Sequence, residues 1–305
     1  MEITRFADLR PRFVWDIVDD AFDLYRERFG LLCGISAAVN APAYLLYILL
    51  TASAVSALNN RTGSDPFGGI VELYQSVFLS LPLLSIAQVF QGGATALVVQ
   101  DMLEGNQENS TLAGAYRRVF RRALPIIGAA FLVGVAVLTG LCAFGIGALY
   151  AGVITAFVSQ CILLEGRGIS SAFQRSRDLA QNAFGKVLGM NLLVGIITAI
   201  ISGGLSGLAE IFFLFVEWGD NSAVQQAQKY VVTQSLTSIV AILLAPIASV
   251  ALTLLYFDLR VRREGLDIAE AAKEAGYELA PDPFGDVSSE RVVQQMRRGG
   301  GGPPR

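Results

Sequence analysis

Three amide side chains lie in the middle of long apolar stretches, where burying a polar group costs free energy. Asn40 belongs to the first stretch, and Gln88 and Gln91 belong to the second, where a spacing of three residues puts both on one helix face. Such amides either join neighbouring helices by hydrogen bonds or bind a polar solute. Interhelical hydrogen bonding is the more common role of such amides, and a midplane site for a polar solute is the alternative.

Acidic residues form a second candidate site. Glu72 precedes the second apolar stretch, Glu210 interrupts the fifth, and Glu217 follows one heptad later. Counted from the nearest basic residues, all three fall at the same, outer boundary of a bilayer about 30 Å thick. Carboxylates gathered there could bind a cation or a proton.

A basic cluster follows the second apolar stretch and consists of Arg117, Arg118, Arg121 and Arg122. Arginines beside a membrane attract anionic lipid headgroups, at about 1 kcal/mol per charge. They also occur as general anchors on the cytoplasmic side of a membrane protein. Both interpretations stay open at the level of the sequence.

Several kinds of chemistry are absent from the sequence. The chain has no histidine, which excludes histidine-containing triads and imidazole metal sites. Cys33, Cys142 and Cys161 all lie in apolar runs, so neither a disulfide framework nor a cysteine metal site is expected. No phosphate-binding loop, zincin helix or nucleophile elbow occurs. We therefore expect no catalytic residue, no metal and no cofactor.

The composition is that of a polytopic membrane protein. Of 305 residues, 53% are apolar and only 16% are charged, and the mean hydropathy is +0.52. Apolar windows predict an all-α protein with six spans, at roughly 31–57, 77–100, 124–142, 146–164, 187–216 and 230–257. A net charge of −3 argues against a nucleic-acid partner.

The basic residues support six spans and set their orientation. Of the 23 lysines and arginines, all but Arg61 and Lys229 then fall on one side, as expected for the cytoplasmic side of a bacterial inner membrane. Both termini are predicted to be cytoplasmic. Residues 1–280 form the membrane domain, and the Gly- and Pro-rich tail 281–305 is predicted to be disordered. The N-terminus has no secretory signal pattern.

Each cytoplasmic segment contains an amphipathic stretch before the next span, at residues 13–29, 112–120 and 169–184. A shift of 61 residues aligns Glu104-Gly105 with Glu165-Gly166 without a gap. We therefore predict a threefold repeat of one unit, in which an elbow helix on the cytoplasmic face is followed by a transmembrane hairpin.

Two segments resemble a known family. They are DDAFDLYRERFG, Asp19 to Gly30, and YFDLRVRREGLDIAEAA, Tyr256 to Ala272. With six apolar spans, they resemble the membrane domain fused to some bacterial glycerophosphoryl diester phosphodiesterases, as a pattern over residues 12–275. The resemblance implies a bacterial inner-membrane domain associated with lipids. The catalytic barrel of that family uses histidines and a divalent metal, so its activity does not carry over to this chain.

Three functions compete. The favoured one is a non-enzymatic membrane scaffold or lipid-associated module, with membrane lipids and other membrane or cytoplasmic proteins as partners. The first alternative is a transporter or channel for a small polar or lipidic solute, with the amides as its site. The second is an enzyme acting on phospholipid headgroups through Asp101, Glu104 and Glu165.

Overall fold

The computed structural model describes residues 13–60, 68–105, 111–141, 146–215 and 223–264, and this part of the chain contains helices and turns but no strand. Its helices are α1 (Val14–Glu27), α2 (Phe29–Asn60), α3 (Gly68–Leu103), α4 (Leu112–Phe120), α5 (Ala123–Leu141), α6 (Ile146–Ile154), α7 (Val158–Leu163), α8 (Ile169–Gln181), α9 (Phe184–Phe215) and α10 (Ala223–Glu264). The predicted all-α class is confirmed. The predicted tail, 281–305, lies outside the described residues.

Four of the described helices are long and apolar enough to cross a membrane: Phe29–Val55, Pro82–Leu103, Phe184–Phe213 and Gln225–Arg260. A fifth is added if α4 and α5, which meet at an angle of 76°, are counted as one bent span. The chain thus has the helices of a multi-pass membrane protein, as its composition predicts.

The fourth predicted span, 146–164, is not one continuous helix. It is divided into α6 and α7 by a break at Thr155, Ala156 and Phe157. The hydroxyl of Ser176, on α8, accepts a hydrogen bond from the Phe157 N–H at 3.1 Å and donates one to the Ile154 carbonyl at 2.8 Å. A side chain from a later helix therefore satisfies backbone groups on both sides of the break, which no apolar pattern within 146–164 could reveal.

Each of the three predicted amphipathic stretches contains a separate short helix, namely α1, α4 and α8, which we call the elbow helices. Two of them are bonded to spans by tyrosines. The Tyr25 hydroxyl of α1 donates to the Leu243 carbonyl of α10 at 2.8 Å, and the Tyr116 hydroxyl of α4 donates to the Ile35 carbonyl of α2 at 2.6 Å. The elbow helices therefore pack on protein.

The core lies where the elbow helices meet the ends of the long helices. Its apolar cluster contains fully buried residues from several elements, among them Ile17 of α1, Leu32 of α2, Val98 of α3, Phe157 of the break between α6 and α7, and Tyr256 of α10. Helix α10 is its centre, because it packs against α1, α2, α3 and α9. Helix α10 thereby connects elements that are far apart in the sequence.

Helix α9 lies at the periphery, because only 6% of the residues in its most apolar stretch are buried. Gly203 and Gly207, on this helix, are spaced to let another helix approach closely. In the described part of the chain, however, a Cβ at either position would meet no atom within 4 Å. The expected helix contact at this face is therefore not made within the described protein.

Removing the Ser176 hydroxyl leaves the buried Phe157 N–H and the partly buried Ile154 carbonyl without this partner. We expect Ser176→Ala to lower the free energy of unfolding by about 1–3 kcal/mol. The measurement is the unfolding midpoint of the purified protein in detergent. Ser170→Ala, at an exposed position of the same helix, is the matched control. Equal midpoints for the two variants would contradict the assigned role of Ser176.

Candidate functional site

A carboxylate, Glu165, lies at the centre of a charged cluster where α7, α8 and α10 meet. Its Oε2 accepts a hydrogen bond from Nε of Arg167 at 2.5 Å, and its Oε1 accepts one from the Tyr256 hydroxyl at 2.5 Å. The Nε atoms of Arg175 and Arg260 lie 3.4 Å and 3.8 Å from Oε1. The side chain of Glu165 is only 8% exposed. We call these five residues the Glu165 cluster.

Three elements bring this cluster together. Glu165 follows α7, and Gly166, with a φ of 70°, turns the chain toward α8, in a backbone conformation that favours glycine. Arg175 comes from α8. Tyr256 and Arg260 are one helical turn apart on α10, and the guanidinium of Arg260 lies 5.7 Å from the centre of the Tyr256 ring. The cluster therefore ties the fourth and sixth predicted spans to the third elbow helix.

The electrostatics of the cluster keep Glu165 ionised. Burial alone raises the pKa of the Glu165 carboxyl. The hydrogen bond from Tyr256, the charges of Arg175 and Arg260 and the hydrogen bond from Arg167 outweigh burial, so the pKa lies below its usual value of 4.5. A carboxylate in this state is a weak proton acceptor, since its charge is already shared among several donors.

The lowered pKa predicts how stability depends on pH. A carboxyl with a lower pKa in the folded state stabilises the protein fully above its unfolded pKa, and this contribution is lost as the pH falls through the folded pKa. We therefore expect the melting temperature in detergent to fall below about pH 4.5. Glu165→Gln should lower stability at neutral pH and flatten the acid-dependent fall. Asp178→Asn, at an exposed position of α8, should leave the pH profile unchanged. An identical acid profile for Glu165→Gln and the wild-type protein would contradict this account.

Two further carboxylates are buried at the ends of spans. Both oxygens of Asp101, near the end of α3, accept hydrogen bonds from the guanidinium of Arg118 on α4, one of them at 2.9 Å. Asp258, on α10, accepts a hydrogen bond from Nζ of Lys186 on α9 at 2.5 Å and is 3% exposed. Glu104, by contrast, is exposed and accepts a hydrogen bond from Gln100.

The three amides of the candidate midplane site have different surroundings. Asn40 is buried and donates to Ser36 of its own helix at 3.2 Å, and Gln91 is buried and accepts from Ser249 of α10 at 3.3 Å. Gln88 is exposed and donates to the Tyr44 hydroxyl of α2 at 3.4 Å. Among the described residues, no hydrogen bond joins one of these amides to another. Gln88 and Gln91 each form a hydrogen bond to a neighbouring helix, and a midplane solute site stays a prediction.

The basic cluster is divided between two environments. Arg118 is bound to Asp101, whereas Arg117, Arg121 and Arg122 are exposed. Nη1 of Arg122 donates to the Gly166 carbonyl at 2.7 Å, which joins the start of α5 to the end of α7. Of the four arginines, these three are exposed and none of them is in an ion pair with Asp101.

The outer carboxylates are only partly described. Glu210 is exposed on α9, while Glu217 and the side chain of Glu72 lie outside the described residues. Within the described part of the chain, no group of three or more cysteine, aspartate or glutamate side chains could hold a metal ion. The outer cation site stays a prediction.

A cavity of about 640 Å³ lies between α3, α5 and the broken α6–α7 segment. Its walls are mostly aliphatic, and its polar side chains are Ser85, Gln88, Thr155 and Ser159. The small residues Ala129, Ala130 and Gly134 of α5 leave the space open. Of the three candidate midplane amides, only Gln88 lines this cavity.

Sequence reasoning missed Ser176, Lys186, Tyr256 and Asp258 as site residues. A usable signal existed for two of them, because Lys186 and Asp258 are the charged residues nearest to the apolar windows that they flank. Ser176 gives no such signal, since serine is common in amphipathic helices and its partners are backbone atoms of another segment.

Comparisons of this chain with protein-family models, with curated protein sequences and with solved structures find no match. Its candidate function therefore depends on the residues and contacts described above.

Proposed function

We propose that this chain is a non-enzymatic, lipid-associated membrane scaffold that presents its elbow helices on the cytoplasmic face of a bacterial inner membrane. One observation carries the proposal. The three carboxylates buried at the ends of α3, α7 and α10, namely Asp101, Glu165 and Asp258, are each bound by a basic side chain. Carboxylates engaged in this way hold helices together, which is the role that a scaffold requires.

The proposed enzyme alternative has the least support. Asp101 and Glu165 are engaged by arginines, and Glu104 is an exposed carboxylate bonded to Gln100. An acid or base catalyst needs a pKa near the working pH, and that of Glu165 is lowered away from it.

The transport alternative is favoured by one observation, the cavity beside the break between α6 and α7. Discontinuous helices often form the binding sites of transporters. Gln88 is the amide in this cavity, so transport predicts that Gln88→Leu abolishes solute flux in proteoliposomes while the protein stays folded. The largely aliphatic wall favours a lipidic solute over a polar one.

The threefold repeat is part of the proposal. Helices α4 and α8 end 61 residues apart, and α5 and α9 begin 61 residues apart, which is the shift that aligns Gly105 with Gly166. Both glycines have positive φ, at 76° and 70°. A turn at a glycine with positive φ thus precedes both α4 and α8, as expected if the two helices belong to copies of one repeated unit.

A second glycine pair supports the same repeat. A Cβ at Gly34 of α2 would lie 3.2 Å from Leu112, the first residue of α4. A Cβ at Gly128 of α5 would lie 3.0 Å from Ile169, the first residue of α8. In the proposed repeat, each of the first two hairpins therefore packs the start of the next elbow helix against a glycine near its own beginning.

Membership in the group of phosphodiesterase-linked membrane domains stays part of this proposal. The C-terminal segment that carries the resemblance contains Tyr256, Asp258 and Arg260, which contact Glu165 or Lys186. These three residues thus make contacts within this chain that do not require a barrel domain.

Removing one member of a buried ion pair tests the scaffold role. Lys186→Met leaves the Asp258 carboxylate without that cation, and we expect the free energy of unfolding to fall by about 3–5 kcal/mol. The double variant Lys186→Met/Asp258→Leu should recover most of this loss, because neither charge is then buried. Unfolding midpoints in detergent measure both effects, with Asp178→Asn as the exposed control. A stable single variant would argue that the pair does not hold the bundle together.

Reporter fusions test the six-span topology. We expect a periplasmic phosphatase reporter to be active after Thr62, Ala143 and Asp220, and inactive after Gly105 and Gly166, when expressed in a bacterium. The Ala143 and Gly166 fusions are decisive together, because an active Ala143 fusion shows that α5 crosses the membrane and an inactive Gly166 fusion shows that the α6–α7 segment crosses back. A fluorescent protein that matures only in the cytoplasm provides the reciprocal measurement at each position.

A further inference from the structure

The cavity between α3, α5 and the α6–α7 segment has a lining suited to an apolar chain. Leu84, Val89, Val133, Val158 and Ile162 supply aliphatic surface from three sides. Its volume of about 640 Å³ lies within the usual range of small-molecule sites, about 300–1,000 Å³. The cavity is also reached from the bundle surface, since Ser85 and Gln88 in its wall are exposed.

The polar groups in the wall are already engaged. The Thr155 hydroxyl donates to the Ala151 carbonyl at 2.7 Å, the Ser159 hydroxyl donates to the Gln160 amide oxygen at 2.8 Å, and Gln88 donates to Tyr44. A polar solute would have to compete for these bonds, whereas a hydrocarbon chain needs none of them. The lining therefore favours an acyl chain.

A positive charge is fixed at one end of this cavity. Ile126, in the α5 wall, lies one turn after Arg122, whose carbonyl accepts the Ile126 N–H at 3.1 Å. Ile162, in the α7 wall, lies one turn before Gly166, whose carbonyl accepts a hydrogen bond from Arg122. The Arg122 side chain therefore links the α5 wall of the cavity to the turn after α7, at the end of the cavity where Ile126 and Ile162 lie.

This charge is available to a ligand. Arg122 is exposed, and its described partner is a neutral carbonyl, so no carboxylate in the described part of the chain neutralises it. Arg121, beside it, is also exposed. A phosphate group is one of the anions that an arginine can bind through two parallel hydrogen bonds.

We propose that one anionic phospholipid binds here, with an acyl chain in the cavity and its phosphate at Arg121 and Arg122. The proposal rests on the membrane placement given above, in which these arginines face the cytoplasm. The occupant is a phospholipid of the cytoplasmic leaflet, because only such a molecule joins a hydrocarbon chain to a phosphate at that depth. The acyl chain would also cover the exposed side of the break between α6 and α7.

Two positions allow matched variants. A Cβ at Gly134, in the cavity wall, meets no atom within 4 Å, so Gly134→Leu has room for its first side-chain atom and places the rest of the leucine in the cavity. Gly195 occupies the corresponding position of the proposed repeat on α9, has the same free space and is not in the cavity. Gly195→Leu is therefore the control for the cavity. Arg26→Gln, at an exposed position of α1, is the control for Arg122→Gln.

The test is native mass spectrometry of the delipidated full chain in detergent, with added phosphatidylglycerol or phosphatidylethanolamine. We expect one phosphatidylglycerol to be retained, about fivefold less retention in Arg122→Gln, and recovery in Arg122→Lys. Gly134→Leu should lose the bound lipid, while the two controls keep it. Glycerophosphoglycerol, which has the headgroup without chains, should not displace it.

Three outcomes would overturn the proposal. Equal retention of phosphatidylethanolamine would show that the arginine charge does not select an anionic lipid. Unchanged lipid binding in Gly134→Leu would show that the acyl chain does not occupy the cavity. Displacement by glycerophosphoglycerol would indicate a site for the headgroup alone. Ala130→Leu replaces Gly134→Leu if the latter does not fold. The stability and topology measurements are independent of lipid retention, so failure here is distinguishable from failure of the scaffold proposal.

Discussion

A carboxylate taken out of water needs a cation beside it, because an unpaired buried charge costs several kcal/mol. Asp101, Glu165 and Asp258 impose this requirement at the ends of three helices that carry the core of the bundle. Their cations come from an elbow helix, from a connecting turn or from the start of another span. If α4 moved away, Asp101 would lose Arg118, and if α8 moved away, Glu165 would lose Arg175.

The same requirement explains how the elbow helices are held. A helix resting on lipid could slide along the membrane surface, but α4 is bound to α3 by Arg118 and α8 meets Glu165 through Arg175. Tyr25 and Tyr116 add hydrogen bonds to backbone carbonyls of α10 and α2. Directional bonds of this kind fix the elbows on the bundle more firmly than apolar contact alone.

The break between α6 and α7 depends on an elbow helix in turn. The groups freed between α6 and α7 could not be left unsatisfied in an apolar layer, and Ser176 of α8 satisfies two of them. The break also forms part of the cavity wall, through Thr155 and Ala156. The irregular backbone, the elbow helix above it and the space beside it therefore form one structural unit.

The sequence alone determined the helical class, the membrane-like composition and the approximate positions of the elbow helices, because hydrophobicity and its period are local properties. It could not determine that Gln88 lines a cavity while Asn40 and Gln91 are buried. The surroundings of a side chain depend on which helices become neighbours in the folded protein. Nor could it link Glu165 to Tyr256 or Phe157 to Ser176. Those contacts join distant segments, and only tertiary packing decides which distant polar groups satisfy one another.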